Sequence, residues 1–122
     1  MAIRRHKGRM SHYAGEAAEE RIATDYLRRG FGIAARRWRG AGGEIDLVVR
    51  DGDGLIFVEV KQSRDFAAAA SHLSARQILR LQQAAEEFLG GEPRGSLTDV
   101  RFDVVLVNAH GEFQVIENAL CA

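Results

Sequence analysis

The chain has 122 residues, 46% of them hydrophobic, with one proline, one cysteine and no net charge at neutral pH. This length accommodates one compact domain and excludes two ordinary ones, and the apolar fraction excludes a largely disordered chain. The single cysteine, Cys121, excludes a disulfide framework within the chain and is typical of a reducing compartment. The basic N-terminus is followed by no signal-peptide core, and no apolar run reaches membrane-spanning length, so we expect a cytoplasmic protein without a membrane partner.

The zero net charge hides an uneven distribution. Residues 1–39 carry ten Lys or Arg against four Asp or Glu, whereas residues 40–122 carry seven against thirteen. We interpret residues 1–13 as a basic N-terminal arm able to steer a polyanion, and residues 14–122 as a single domain. The alternative is that the arginines only solvate the surface and the chain ends.

The predicted elements follow the order αβββαββ. Apolar residues at helical spacing predict two helices, residues 14–29 and 71–89. Runs rich in β-branched and aromatic residues predict five strands: 31–38, 44–50, 55–62, 100–108 and 113–118. In the first helix the predicted buried stripe holds Ala18, Ile22 and Tyr26, with Ala23 and Leu27 beside it. We therefore expect an α/β fold with a mixed sheet covered by helices.

The turn Asp51-Gly52-Asp53-Gly54 joins the two strongest strands into an antiparallel hairpin. In the register that this turn predicts, Asp46 lies opposite Glu59 and Glu44 lies opposite Lys61. Because side chains alternate along a strand, these four charged residues are expected on one face of the sheet. The other face is predicted to carry apolar side chains: Ile45, Leu47, Val49, Ile56, Val58 and Val60.

The charged residues of the hairpin predict a metal site. Two carboxylates opposed on neighbouring strands repel each other, so Asp46 and Glu59 need a positive group between them. With Glu44 and Lys61 they make three carboxylates and one ammonium, a charge of −2, which suits Mg²⁺ or Mn²⁺ held by oxygen ligands. In this hypothesis Asp46 and Glu59 bind the metal, and the Val60 carbonyl is a further ligand. Lys61 is then the electrostatic or acid–base partner in phosphodiester chemistry.

The same residues also fit a surface strand pair held by cross-strand ion pairs. Glu44 would then pair with Lys61, and Arg36 or Arg37 would reach Asp46. The spacing alone leaves both interpretations open.

A basic and aromatic cluster stands just before the hairpin. Arg36, Arg37 and Arg39 suit contact with nucleic-acid phosphates, and we expect Trp38 to cap the core. Further along the chain, Asp103 lies between apolar residues, and we predict that it pairs with a nearby arginine in a structural role.

Four short motifs carry a family resemblance. They are G-E at residues 15–16, G-E-I-D-L at 43–47, F-V-E-V-K at 57–61 and R-F-D-V-V at 101–105. Over about residues 12–120 the chain resembles the YraN-type uncharacterised proteins. These are similar to Holliday-junction resolvases within the PD-(D/E)XK nuclease superfamily.

The resemblance implies a restriction-endonuclease-like αβββαβ core with a catalytic site in the hairpin. It makes Asp46 the first acid of the superfamily motif, and Glu59 and Lys61 its E-x-K. It further implies that Glu16 is a helix-borne acid directed at the metal, although the helix dipole alone also favours a glutamate in a first turn.

The chain departs from the family pattern at several positions. Ile45 replaces the proline of the superfamily name, and Arg76 stands where a lysine is usual. The family usually follows the catalytic lysine with a threonine and a basic residue, where this chain has Gln62-Ser63-Arg64. We expect Gln62 and Arg64 to contact nucleic acid.

These observations predict a Mg²⁺-dependent or Mn²⁺-dependent nuclease that acts on DNA, with branched DNA as a candidate substrate. The resemblance to resolvases implies a homodimer. Two alternatives remain: a non-catalytic nucleic-acid-binding module that retains the nuclease fold, and a purely structural interaction protein.

Overall fold

The structure, a computed structural model, describes residues 17–120. Helix α1 covers residues 17–28. Five strands form one sheet: β1 (Gly32–Arg39), β2 (Glu44–Asp51), β3 (Gly54–Gln62), β4 (Val100–Val107) and β5 (Phe113–Ile116). Two helices connect β3 to β4: α2 (Phe66–Ser71) and α3 (Ala75–Leu89). The protein therefore has the predicted α/β architecture, consistent with an endonuclease-like core. The predicted basic arm, residues 1–13, lies outside the described residues.

The strands lie in the sheet in chain order, from β1 to β5. Neighbouring strands are antiparallel except β3 and β4, which are parallel. A parallel pair requires a crossover connection, which α2 and α3 provide. The result is the predicted mixed sheet with helices on its faces. No helix within residues 17–120 combines the length and the apolar character needed to cross a membrane.

Helix α1 packs against the sheet through an apolar stripe. Its buried members are at most 1% exposed: Ala18, Ile22, Ala23 and Tyr26. Gly30 has a φ of 96°, which glycine adopts without steric cost, and ends the helical segment as predicted. Leu27, predicted to lie beside the stripe, is at its edge and is 48% exposed.

The single helix predicted over residues 71–89 is wrong at its N-terminal end. The chain instead forms α2, breaks, and then forms α3. Asp65 caps α2, and Ser74 caps α3 in a reciprocal capping box with Gln77. The extended backbone of Ser74 is incompatible with a continuous helix, so the capping residue separates the two helices.

Apolar layers cover both faces of the sheet. On one face, α1 packs against strand residues Leu47, Val49, Ile56, Val58, Val105 and Val107. On the other face, α3 packs against strand residues Ile45, Val48, Leu55 and Phe57. The short helix α2 contributes Ala69 to a smaller layer on β4. Trp38 packs on the α3 layer with its ring 5.3 Å from that of Phe88, so the prediction that it caps the core is confirmed.

The pairing of β2 with β3 follows the predicted register, from Asp51 opposite Gly54 to Leu47 opposite Val58. One face assignment is wrong, however. Ile45 was expected to share a face with Leu47, but it packs in the α3 layer. Strict alternation therefore breaks between these two residues, at Asp46, where β2 is no longer paired with β3 and is held by β1 alone.

A buried polar network anchors α1 to β4. Asp103 is fully buried and accepts hydrogen bonds from the Tyr26 hydroxyl at 2.7 Å, and from Arg101 Nε and the Asn118 N–H at 2.9 Å each. A buried carboxylate is tolerated only when it is hydrogen-bonded in this way. Burial raises the pKa of the Tyr26 hydroxyl, and the hydrogen bond to Asp103 acts in the same direction. The predicted structural pairing of Asp103 with an arginine is confirmed.

Candidate active site

The candidate site begins where the hydrogen-bonded ladder between β2 and β3 ends. The last register pair joins Leu47 to Val58. One residue further, the carboxylate of Asp46 projects between the strands, and the Val60 N–H donates a 2.8 Å hydrogen bond to its Oδ2 atom. A side-chain oxygen thus takes the acceptor role that a main-chain carbonyl has elsewhere in the ladder.

Asp46 and Glu59 lie together, and their carboxyl groups interact through a hydrogen bond. Burial raises the pKa of Glu59 to about 8, and both the charge of Asp46 and this hydrogen bond act in the same direction. Lys61 opposes the shift, with its Nζ atom 3.5 Å from Glu59 Oε1. The side chains of Lys61 and Glu59 are only 18% and 16% exposed. Without a bound cation, Glu59 is therefore largely protonated at neutral pH.

Glu44 has a different partner from the predicted one. Its Oε1 atom lies 2.6 Å from Arg39 Nε on β1, whereas Lys61 pairs with Glu59. The expected pairing of Glu44 with Lys61 is therefore wrong. The physical reason is that β2 leaves β3 beyond Leu47 but remains paired with β1, where Arg39 is the direct cross-strand neighbour of Glu44.

A cleft of about 300 Å³ between α1 and the sheet gives access to Asp46. It is lined by Glu19, Glu20, Ile22, Arg36, Arg37, Asp46, Leu47 and Val60. A second cleft of about 230 Å³ is lined by Glu19, Arg37, Arg39, Glu44, Ile45 and Asp46. Glu19 and Asp46 line both clefts, so the helix and the hairpin each contribute an acid to the same opening.

Sequence reasoning missed Glu19 and Glu20. Successive helical residues are rotated by about 100°, which places Glu19 between the buried Tyr26 and Ala23 on the apolar arc of α1. A charged residue within an apolar helical stripe is the sequence signal that would have identified it. Glu16, the helix-borne acid that the resemblance implied, lies outside the described residues.

The arginines expected to contact nucleic acid are at the clefts, and each has a carboxylate partner. Arg36 Nη1 lies 2.6 Å from Glu20 Oε2, and Arg37 Nε lies 2.9 Å from Glu19 Oε2. Arg39 is paired with Glu44, as described above. The three arginine side chains are 45%, 54% and 81% exposed. Exposed ion pairs are weak, so a phosphate group can replace these carboxylates.

Two further predicted contact residues, Gln62 and Arg64, follow Lys61 in the chain. Gln62 is the last residue of β3 and is exposed. Arg64 is 83% exposed, and its Nε atom lies 3.5 Å from Oδ2 of Asp65. Both residues stand beyond Lys61 at the end of the sheet that holds the site, where contact with nucleic acid remains a prediction.

The acids of the site suit a hard divalent cation. Mg²⁺ typically binds one or two protein carboxylates and completes its coordination with water and phosphate oxygens. Asp46 and Glu59 provide two carboxylates, and Glu19 faces the same cleft. Within residues 17–120, no group of three or more His, Cys, Asp or Glu side chains has a geometry that could hold a metal. An ion bound by the two hairpin acids would therefore depend on water and substrate oxygens.

Known proteins resemble this chain over most of its length. Residues 18–107 match the profile of the uncharacterised protein family UPF0102. A UPF0102 protein of Ruegeria pomeroyi is 58% identical over 113 residues, which cover 93% of this chain and 92% of the relative. A UPF0102 protein of Cereibacter sphaeroides is 57% identical over 115 residues, covering 94% and 98%. One from Roseobacter denitrificans is 49% identical over 115 residues, covering 94% and 89%.

Proposed function

The chain belongs to the uncharacterised protein family UPF0102, and from the geometry of its site we propose that it is a metal-dependent nuclease that hydrolyses phosphodiester bonds in DNA. The observation that carries the proposal is the pair formed by Asp46 and Glu59. These acids come from neighbouring strands and meet where the ladder ends. Burial and the repulsion between the two carboxylates raise the pKa of Glu59 to about 8. Lys61 can offset only one negative charge, so ionisation of both acids at neutral pH requires a further cation.

In this proposal, Asp46 and Glu59 bind Mg²⁺ or Mn²⁺. A bound cation would polarise the phosphodiester and lower the pKa of water. The Val60 N–H already fixes one oxygen of Asp46, so this ligand needs little reorientation. Glu19 is the acid of α1 that we assign to the same site, and it reaches the metal by exchanging its ion pair with Arg37.

Lys61 supplies the positive charge that faces the reacting phosphate. Its ammonium group orients the attacking water or stabilises the oxygen that leaves when the P–O bond breaks. The water oxygen forms the new bond to phosphorus, and a proton passes to the leaving oxygen. The low exposure of Lys61 strengthens these interactions, because charges act over lower effective dielectric away from bulk water.

The proposed substrate is DNA, including branched DNA, held in part by Arg36, Arg37 and Arg39 after they release their carboxylates. A chain of 13.5 kDa offers little surface for a four-way junction. We therefore propose that a homodimer is the functional unit on such a substrate.

A cleavage assay tests the proposal. Labelled duplex and four-way-junction DNA are incubated with the protein and Mg²⁺ or Mn²⁺, and we expect cleavage that Asp46→Asn and Lys61→Ala abolish. Asp51→Asn is the matched control, because it removes an exposed acid at the opposite end of β2. Cleavage by Asp46→Asn at the wild-type rate would overturn the assignment.

A calorimetric titration with Mn²⁺ tests the metal site without relying on turnover. Wild type is expected to show a measurable heat of Mn²⁺ binding, and Glu59→Gln is expected to show none. Indistinguishable heats, both near zero, would exclude the proposed metal site. Salt-sensitive DNA binding with no cleavage by the wild type would instead support a non-catalytic nucleic-acid-binding module.

A further inference from the structure

We propose that the N-terminal half of α3 and the loop between β1 and β2 bind the nucleic-acid backbone next to the site. This α3–loop surface consists of Arg76, Arg80 and residues 40–43. Its ligand is a phosphodiester backbone recognised by charge rather than by base sequence. The inference rests on the proposed function for the nature of the ligand.

Arg76 and Arg80 are exposed and supply the positive charge of the surface. They stand four residues apart, which places them on one side of α3. Neither forms an ion pair with any of residues 17–120. Arg36 and Arg39, by contrast, each have a carboxylate partner that a phosphate must first displace. An unpaired arginine gives its full charge to a polyanion, so Arg76 and Arg80 gain more from phosphate contact.

The surface adjoins the site through the start of β2. A Cβ atom at Gly43 would lie 3.4 Å from the Arg80 main-chain oxygen and 3.9 Å from the Arg80 Cβ. Gly43 stands three residues before Asp46. At about 3.3 Å per residue, the main chain of Gly43, which adjoins Arg80, is therefore about 10 Å from that of Asp46 along β2. This distance corresponds to roughly three nucleotides at about 3.4 Å each, so one nucleic-acid backbone can contact both the α3–loop surface and the site.

The loop itself permits close approach of a phosphate. Its sequence is Gly-Ala-Gly-Gly, so a single methyl group is its only side chain. Glycine-rich backbone lets a ligand reach main-chain groups that side chains would cover. The loop is held in place by a 2.9 Å hydrogen bond from Gly40 N–H to the Gly43 carbonyl. The Glu87 carboxylate also accepts from Ala41 N–H at 2.9 and 3.0 Å.

The acids near this surface are already engaged. Glu44 pairs with Arg39, and Glu87 is bound to the Ala41 amide. Arg76 and Arg80 contribute two positive charges against the one negative charge that Glu87 keeps, so the surface is net positive. Since α3 also holds the loop through Glu87, the two parts of the surface have a fixed relative position before a ligand arrives, which lowers the entropic cost of binding.

The test measures the salt dependence of binding to a fluorescent DNA duplex in EDTA, which prevents metal-dependent cleavage. Replacing both arginines, R76Q with R80Q, is expected to reduce the slope of log affinity against log salt by roughly 2, with on the order of tenfold weaker binding. The matched control is R28Q with R94Q, which removes two exposed arginines away from this surface and is expected to retain the slope. R76K with R80K keeps the charges and should also retain it.

Each outcome bears on one proposal. An unchanged slope in R76Q/R80Q, an equal loss in R28Q/R94Q, or wild type without salt-dependent binding would overturn the α3–loop surface. The Mn²⁺ binding heat of R76Q/R80Q should equal that of wild type, since the hairpin acids are intact. If the slope falls as expected while D46N cleaves DNA like wild type, the surface stands and the proposed nuclease site fails.

Discussion

Glu19 on α1 and Arg37 on β1 form a 2.9 Å ion pair across the cleft that contains Asp46. The same carboxylate lines both clefts that hold Asp46, and the same guanidinium is a proposed phosphate contact. Metal binding and phosphate binding should therefore support each other.

This exchange predicts opposite effects for Glu19→Gln in two assays. In EDTA, the variant should bind duplex DNA several-fold more tightly, because the Glu19 carboxylate no longer competes with phosphate for Arg37. In a Mn²⁺ titration it should bind the metal more weakly. Stability should change by less than about 1 kcal/mol, as is usual for an exposed pair. Asp53→Asn, which removes an acid in the β2–β3 turn, is the charge-matched control. Unchanged DNA affinity in Glu19→Gln would contradict the exchange.

The raised pKa of Glu59 predicts a pH-dependent stability. Between the ordinary pKa of 4.5 and the folded-state value of about 8, the folded protein binds more protons than the unfolded chain. The free energy of unfolding must therefore fall as pH rises through this window. The stabilising contribution of protonated Glu59 is complete below the ordinary pKa and is lost above the folded-state one.

Urea unfolding in EDTA at several pH values measures this effect as the difference between wild type and Glu59→Gln. Wild type should lose stability relative to the variant as pH rises, by on the order of a few kcal/mol over the window. Saturating Mn²⁺ should restore the stability of wild type at high pH, because a ligand that binds only the folded state stabilises it. A difference that does not vary with pH would show that the pKa of Glu59 is not raised in the folded protein.

The hydrogen bond from Val60 N–H to Asp46 predicts that two substitutions at position 46 differ. Asp46→Asn retains an oxygen acceptor, whereas Asp46→Ala leaves the partly buried N–H without a partner. The alanine variant should be less stable than the asparagine variant by about 1 to 3 kcal/mol. Amide hydrogen exchange at Val60 should be faster in the alanine variant alone. Equal exchange rates in both variants would rule out this hydrogen bond.

The network around Asp103 predicts that Tyr26→Phe destabilises the protein by about 2 kcal/mol, since it removes a hydrogen bond to a charged, buried acceptor. Denaturant unfolding measures this loss. Asp103→Ala should cost more, because it leaves the Tyr26 hydroxyl and Arg101 without their buried partner. Equal midpoints for Tyr26→Phe and wild type would mean that this hydrogen bond does not stabilise the fold.

Close packing predicts that Gly40→Ala is disruptive while Gly42→Ala is tolerated. A Cβ at Gly40 would lie 1.5 Å from Glu87 Oε2 and 2.6 Å from the Trp38 ring, whereas the nearest atom to one at Gly42 is 4.0 Å away. Gly40→Ala must displace Glu87 from the Ala41 N–H and should cost about 1 to 3 kcal/mol. Thermal unfolding of the two variants provides the comparison, and equal melting temperatures would contradict the fixed loop.

Much of the fold could be predicted from local patterns. The helical stripe of α1, the stop at Gly30 and the register of the β2–β3 turn each depend on residues that are close in sequence. For this reason the pairing of Leu47 with Val58 followed from the turn alone. The boundary between α2 and α3 could not be predicted as readily, because it depends on Ser74 acting as a cap rather than as an interior helical residue.

The sequence by itself determined the order of the elements, the apolar faces and the placement of Asp46 and Glu59 on adjoining strands. Only the tertiary structure decided which charges meet. Glu44 pairs with β1, Glu19 enters the cleft, and Arg36 binds Glu20 because the fold brings α1 and β1 to the end of the hairpin. Periodicity and turn chemistry act between near neighbours in the chain. Ion pairs form between whichever charges the sheet and helices bring together, and those partners are set by the topology.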